Sequence, residues 1–196
     1  MSKTGRRKKP SNKNSLEEDK KPMKDVEKKL IAELMRNSRR SDRELSKVIG
    51  VSQPTVSRIV KRLEKEGFIR EYTMIPDFQK LGYELVALTF VKLDKTLTQG
   101  EIEKAREAAR EWLKQARVPI IMLERGMGLG YDGVLVSLHE NYTSYTEHMN
   151  QLKTFTFLEL AHMESFIISL DDKIRYRPLT LKTVADHLLK MNKTAR

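Results

Sequence analysis

SDRELSKVIGVSQPTVSRIVKRLEKE, residues Ser41 to Glu66, reads as two helices joined at a glycine. Ser41-Asp42-Arg43-Glu44 is a capping box: the serine hydroxyl accepts from the amide at the third helical position, and Glu44 reaches back to the amide of Ser41. Leu45, Val48 and Ile49 give this short helix one apolar side, and Gly50 stops it in the left-handed region. Ser52 is the next N-cap, with Pro54 in the first turn, where a missing N–H costs nothing. Val56, Ile59, Val60 and Leu63 recur at helical spacing, so this second helix buries one stripe and ends near Gly67. A helix, a short turn containing glycine and a second capped helix make the helix-turn-helix pattern.

Apolar spacing alone would suit any packed three-helix domain, so the opposite face of the second helix decides. Gln53, Thr55, Ser57, Arg58, Lys61 and Arg62 lie off the stripe. Glutamine pairs with adenine and arginine with guanine in the major groove, while serine, threonine and lysine take phosphate. Arg39, Arg40 and Arg43 gather at the start of the preceding helix, where a phosphate would also meet a helix N-terminus. With Ser52, these side chains are the expected contacts to double-stranded DNA.

Working outward, Val26, Leu30, Ile31 and Leu34 predict a leading helix from about Lys24 to Arg36. Residues 1–23 hold too few large apolar side chains to offset the entropy of ordering and read as a disordered basic tail. After Gly67, Phe68–Thr73 reads as a short extended hairpin arm, and Pro76 with Leu81-Gly82 marks the way out of this domain.

The second half reads as strand–helix–strand–strand–helix–strand. Strands are expected at about Glu84–Leu93, Val118–Leu123, Gly133–His139 and Leu158–Leu170. Thr98-Gln99-Gly100-Glu101 caps the first helix, whose stripe is Ile102, Ala105, Ala109, Trp112, Leu113 and Ala116. Asn141 caps the second, with the stripe Tyr142, Tyr145, Met149 and Leu152, and a glycine-rich turn runs from Gly126 to Gly130. This order is the ferredoxin-like βαββαβ arrangement. A last amphipathic helix follows, carrying Leu181, Val184, Ala185, Leu188 and Leu189. In the first strand, Leu85, Ala87, Thr89, Val91 and Leu93 alternate with Val86, Leu88 and Phe90, so both faces are largely apolar. Two helices cover only one face of a four-stranded sheet. Either the C-terminal helix covers the other, or two subunits stack their sheets.

Charge separates the halves. Of a net +11, residues 1–24 carry nine Lys/Arg against three Asp/Glu, residues 25–76 twelve against eight, and residues 77–196 seventeen against sixteen. The positive excess sits with the helix-turn-helix, as a polyanion partner for that half requires. The absence of cysteine excludes disulfides, thiolate metal sites and a cysteine nucleophile. The longest largely apolar run, Leu85–Val91, is far short of the roughly 20 residues of a membrane span, and no apolar segment follows the basic N-terminus as in a secretory signal. A cytoplasmic, nucleoid-associated protein with no membrane partner is expected. His139, His148, His162 and His187 show no short ligand spacing with carboxylates, and Asp171-Asp172 reads as a solvated turn, so no metal, cofactor or catalytic residue is expected.

The stretch from Asp25 to Tyr83, with SDRELSKVIGVSQPTVSRIVKRLEKEGFIREYTMIPDFQKLGY, resembles the DNA-binding domain of the leucine-responsive/AsnC (feast/famine) transcription regulators. GYDGVLVSLHEN (Gly130–Asn141) and MESFIISLDDK (Met163–Lys173) resemble their regulatory domain. The resemblance implies an α+β chain with an N-terminal winged helix-turn-helix domain and a C-terminal ferredoxin-like regulatory domain. It implies a homodimer or higher homo-oligomer whose sheets pack together, and an amino acid or related effector held at a subunit interface. Carried over, the effector site takes Asp132 and, from a neighbouring subunit, Ser165, with one of Gly126, Gly128 or Gly130 as its glycine, Gly128 and Gly130 being the expected ones. A hairpin with no ligand is the plain alternative. GMGLG joins two strands and opens no helix, so it is not a phosphate-binding fingerprint.

An enzymatic branch resembling the same family decarboxylates sirohaem and carries a phenylalanine-glycine…histidine-arginine signature in the linking region. This chain has Ile75-Pro76-Asp77-Phe78-Gln79 there and no histidine before His139, so a transcription regulator is the expected function. The alternatives are that enzyme and an architectural DNA-binding protein without effector. The expected organisation is a tail (1–23), a winged helix-turn-helix domain (24–76), a linker (77–83), a ferredoxin-like regulatory and oligomerisation domain (84–180), and a C-terminal helix with its tail (181–196).

Overall fold

The computed structural model describes residues 23–154, 160–174 and 176–191. Almost all of the expected disordered tail, the expected start of the fourth strand at Leu158 and the residues beyond Met191 lie outside these. In chain order the elements are α1 (Asp25–Arg36), α2 (Asp42–Ile49), α3 (Gln53–Lys65), a 3-10 turn (Gln79–Leu81), β1 (Leu85–Leu93), α4 (Gln99–Gln115), β2 (Ile120–Gly128), β3 (Tyr131–His139), α5 (Tyr142–Lys153), β4 (Leu160–Ser169) and α6 (Lys182–Lys190). They form two compact units, one of residues up to Met74 together with those from Leu179 on, the other Ile75–Pro178.

In the first unit, Leu30, Leu45, Val56 and Leu63 are buried at the meeting of α1, α2 and α3, with Ile31, Leu34, Ile49, Ile59 and Val60 packed around them. Burying side chains of this size stabilises by about 1.5–3 kcal/mol each. The capping box forms as read: the Glu44 amide donates to Ser41 Oγ, and the Ser41 amide donates to the Glu44 carboxylate at 2.7 Å. Gly50 ends α2 at φ +80°, where a side chain would be strained. Gly67, at φ +74°, ends α3 with the Phe68 amide donating to the Leu63 carbonyl at 2.9 Å, a Schellman closure.

Three local expectations change. Val48, assigned to the apolar side of α2, is 57% exposed. Ser52 stands at the N-cap of α3, but its hydroxyl bonds the Thr55 hydroxyl at 2.8 Å and caps no backbone amide. Phe68–Thr73 pairs into no strand ladder, and Tyr72 ties it to α3 through a 2.9 Å hydrogen bond to Glu64. The C-terminal helix, one candidate cover for the sheet, instead packs along α1 within the first unit, with Ala185 fully buried.

The second unit is a four-stranded antiparallel sheet in the order β2-β3-β1-β4. Thr98 and Asn141 cap α4 and α5 through their side chains as their sequences require. Ala87, Thr89, Leu135 and Ser137 are buried on the helix-bearing face, where Thr89 meets Met149 of α5. The opposite face carries Val86, Leu88 and Phe90 of β1 beside Val134, Val136, Phe166 and Ile168. Phe166 there is 64% exposed and Ile168 is exposed as well.

β2 is longer than expected. It continues to Gly128, which pairs with Tyr131. The glycine-rich turn shrinks to Leu129 and Gly130, at φ +53° and +80°, a pair of left-handed residues that matches the two-residue hairpin geometry of a twisted ladder. Glycine accepts this conformation freely; leucine does so at a cost of about 1 kcal/mol.

Candidate nucleic-acid interface and effector region

The α3 surface follows from its 100° step per residue. Val56 and Leu63 are fully buried, and Ile59 and Val60 flank them. Gln53, Arg58 and Lys61 emerge on the solvent side, with Ser57 half-buried beside them. Lys65 lies on the same exposed arc, and the exposed Arg70 follows α3; the sequence reading named neither, since only their charge marks them. Arg39 and Arg43 are exposed on either side of Ser41.

Arg62 and Arg40 are placed differently from the rest of the expected set. Arg62, at the margin of the stripe, pairs with the Glu27 carboxylate of α1 and lies 3.8 Å from Glu66. Burial pushes the Glu27 carboxyl up, but hydrogen bonds from Arg62 and from the Lys24 amide outweigh it and hold the group below the usual carboxylate range. Arg40 pairs with Glu33, whose other oxygen takes Arg36 at 2.6 Å. Of the expected set, Arg39, Arg43, Gln53, Arg58 and Lys61 are therefore exposed, beside Lys65 and Arg70, with the hydroxyls of Ser52, Thr55 and Ser57 along the same side.

The expected effector residues sit on either side of β1. Asp132, just after the hairpin, accepts the Leu93 amide through Oδ2 at 2.9 Å. Ser165 on β4 lies opposite Thr89, with the two hydroxyls 2.9 Å apart and Met149 Sδ at 3.7 Å from the serine. The two partners, Thr89 and Leu93, are four residue steps apart on β1, about 13 Å along the strand, so one subunit does not bring Asp132 and Ser165 together. Gly128 and Gly130 frame the hairpin tip, on which Met127 and Leu129 project almost wholly into solvent.

Two side-chain groups escaped the sequence reading. Tyr131 stacks on His162 with ring centres 6.2 Å apart and lies 5.7 Å from Phe90; His162 Nε2 meets Glu164 Oε1 at 2.9 Å. Hydrogen bonds from His162 and Tyr131 hold the Glu164 carboxyl low. Beneath the helices, His139 and His148 are buried with ring centres 5.5 Å apart, His139 bonded to Ser137 Oγ at 2.8 Å and His148 beside Trp112. Burial pushes both imidazoles down, and the neighbouring His139 adds to the effect on His148, which falls to about 4. Among the described residues no three His, Cys, Asp or Glu side chains converge as metal ligands, and no helix is long and apolar enough to cross a membrane.

Comparison with known proteins bears on both units. Residues 23–70 match the model of the family described as winged helix-turn-helix DNA-binding. The chain is 32% identical over 117 residues to an uncharacterised HTH-type transcriptional regulator of Pyrococcus abyssi, an alignment covering 60% of this chain and 73% of the relative. A Pyrococcus furiosus regulator is 39% identical over 79 residues, spanning 40% of this chain and about half (53%) of its own length. Among solved structures, LrpC of B. subtilis superposes with a TM-score of 0.62 at 22% identity, covering 80% of this chain and 100% of that one. AsnC of E. coli gives 0.61 at 18%, covering 81% and 99%. A Neisseria meningitidis transcriptional regulator in complex with L-Met gives 0.63 at 18%, covering 83% and 99%.

Proposed function

The chain belongs to the leucine-responsive/AsnC family of HTH-type transcriptional regulators, and from that premise we propose that it reads duplex DNA through α3 and answers to a small molecule at a subunit interface. That it is a DNA-binding regulator follows from the family itself; the residues that do the reading are our assignment. The observation that carries the assignment is the division of α3 into a buried side, Val56 and Leu63, and an exposed side, Gln53, Arg58 and Lys61. A recognition helix has this division, with one side fixed to the fold and the other free to meet base edges. Gln53 and Arg58 supply base-edge donors, Lys61 and the Arg39/Arg43 pair supply phosphate contacts, and the hydroxyls of Ser52, Thr55 and Ser57 bond backbone oxygens.

A single recognition helix gives too few base contacts for useful specificity, so two must be held one or more helical turns apart. The second copy docks on the apolar sheet face of Leu88, Phe90, Phe166 and Ile168, giving an isologous interface. The effector is an amino acid or related molecule, as the L-Met complex of the Neisseria regulator suggests, held near Gly128, Gly130 and Asp132 of one subunit and Ser165 of another. The 13 Å between the two partners of Asp132 and Ser165 within a subunit favours a site completed by a second copy. The protein then acts by binding at the nucleoid rather than by catalysis. Mobility shifts against duplexes selected by the wild-type protein from a random pool test the assignment. Arg58→Ala should bind them about 10- to 100-fold more weakly. Wild-type affinity in Arg58→Ala would move the reading surface elsewhere.

A further inference from the structure

We propose that the C-terminal helix α6 is a positioning element for DNA binding, acting through the chain of ion pairs Asp186–Arg36–Glu33–Arg40. The inference rests on the reading of α3 and of the turn before α2 as the DNA face.

α6 is seated on α1 by apolar contact. Ala185 is fully buried, and Leu188 and Leu189 are half-buried on the same side. Beside that seat, Arg36 in the last turn of α1 divides its guanidinium: Nη2 meets Asp186 at 2.6 Å and Nη1 meets Glu33 Oε1 at 2.6 Å. Glu33, its side chain only 10% exposed, gives its second oxygen to Arg40. Arg40 immediately precedes the N-cap Ser41, and Arg39 and Arg43 stand on either side of it.

The arrangement depends on how one carboxylate is shared. A guanidinium frequently takes both oxygens of a carboxylate, as Arg106 takes those of Glu103 at 3.2 and 3.0 Å. Asp186 holds one nitrogen of Arg36 away from Glu33, so that Arg36 takes one oxygen and Arg40 keeps the other. Without Asp186, Arg36 rotates onto both oxygens of Glu33 and displaces Arg40. The turn that presents Arg39 and Arg43 then loses its anchor. Because apolar burial seats the helix, Asp186 is needed for this division of charge more than for folding.

The test uses the full-length chain and duplexes selected by the wild-type protein, with affinity measured by fluorescence anisotropy over a salt series well below the melting temperature. Asp186→Asn raises the net charge by one, so a plain charge effect would strengthen DNA binding. The positioning role instead lowers affinity about 3- to 5-fold and reduces the slope of log K against log salt by about one, one phosphate contact's worth. Asp186→Glu restores both. Ala185→Gln, which overfills the buried seat without changing charge, lowers affinity at least as far. Unchanged or raised affinity in Asp186→Asn, with Arg58→Ala impaired in the same assay, overturns the role of α6 alone. Wild-type binding by Arg58→Ala overturns the interface reading and this inference with it.

Discussion

Arg62 reaches from α3 back to the buried carboxylate of Glu27 on α1, so a side chain on the second helix of the helix-turn-helix serves the core of the domain that carries it. Truncating it leaves a buried charge without its partner. Arg62→Ala should lose on the order of 1–3 kcal/mol of stability in urea unfolding, the partial exposure of the arginine keeping the loss moderate. The Glu27 carboxyl is held low in the folded state, so the stability it lends is present above the ordinary carboxylate range and is lost as pH falls through its folded value. Arg62→Ala should therefore flatten the acid limb of the stability curve as well as lower its plateau.

Lys61 stands one residue away and should behave in the opposite sense. Lys61→Ala should leave unfolding within about 0.5 kcal/mol of wild type. It should weaken binding to all duplexes alike and lower the salt slope by about one. Titrations on a selected and a scrambled duplex separate this from the sequence-dependent loss expected for Arg58→Ala.

On the sheet, Phe166 is largely exposed on the face opposite the helices. Phe166→Asp should yield folded monomers by light scattering, with unchanged circular dichroism and weaker binding to selected duplexes. A dimer of undiminished stability in this variant would assign subunit pairing to another surface.

His148 gives the second unit an acid sensitivity of its own. Its imidazole is kept neutral in the folded state down to about 4, whereas an unfolded histidine titrates near the ordinary 6.5. The unfolded chain thus binds the extra proton between these values, and the stabilisation present above pH 6.5 is lost as pH falls toward 4. The loss should be on the order of 3 kcal/mol. His148→Leu should remove most of this slope, as read from thermal unfolding between pH 7 and 4.

What the sequence made legible was what short-range chemistry decides. The Ser41–Glu44 box, the stop at Gly50 and the Thr98 and Asn141 caps each depend on residues within three or four positions, and each forms. The βαββαβ order followed from periodicity and gave the antiparallel sheet. What stayed hidden is settled by partners far along the chain. Periodicity puts Arg62 off the apolar stripe, but only the packing of α1 against α3 brings Glu27 within its reach. Glycine density located the β2–β3 connection, but the ladder resumes past a register shift at Gly126 and Met127, where Gly128 pairs with Tyr131 and leaves two residues to turn. The apolar stripe of α6 was plain; that it belongs to α1 was not, because amphipathicity names a face and no partner.

The seating of α6 on α1 also bears on how the protein is made. Arg36 and Asp186 are 150 residues apart, and the whole sheet unit is synthesised between them. A ribosome that has produced α1, α2 and α3 has made a helix-turn-helix that still lacks the helix seated on α1, and it must complete Ile75–Pro178 before that helix exists. Domains generally fold in the order in which they emerge. Here the unit begun first is finished last. Nascent chains halted before residue 179 therefore carry α3 without its completed scaffold, so the helix-turn-helix unit becomes whole only after the sheet unit has been synthesised.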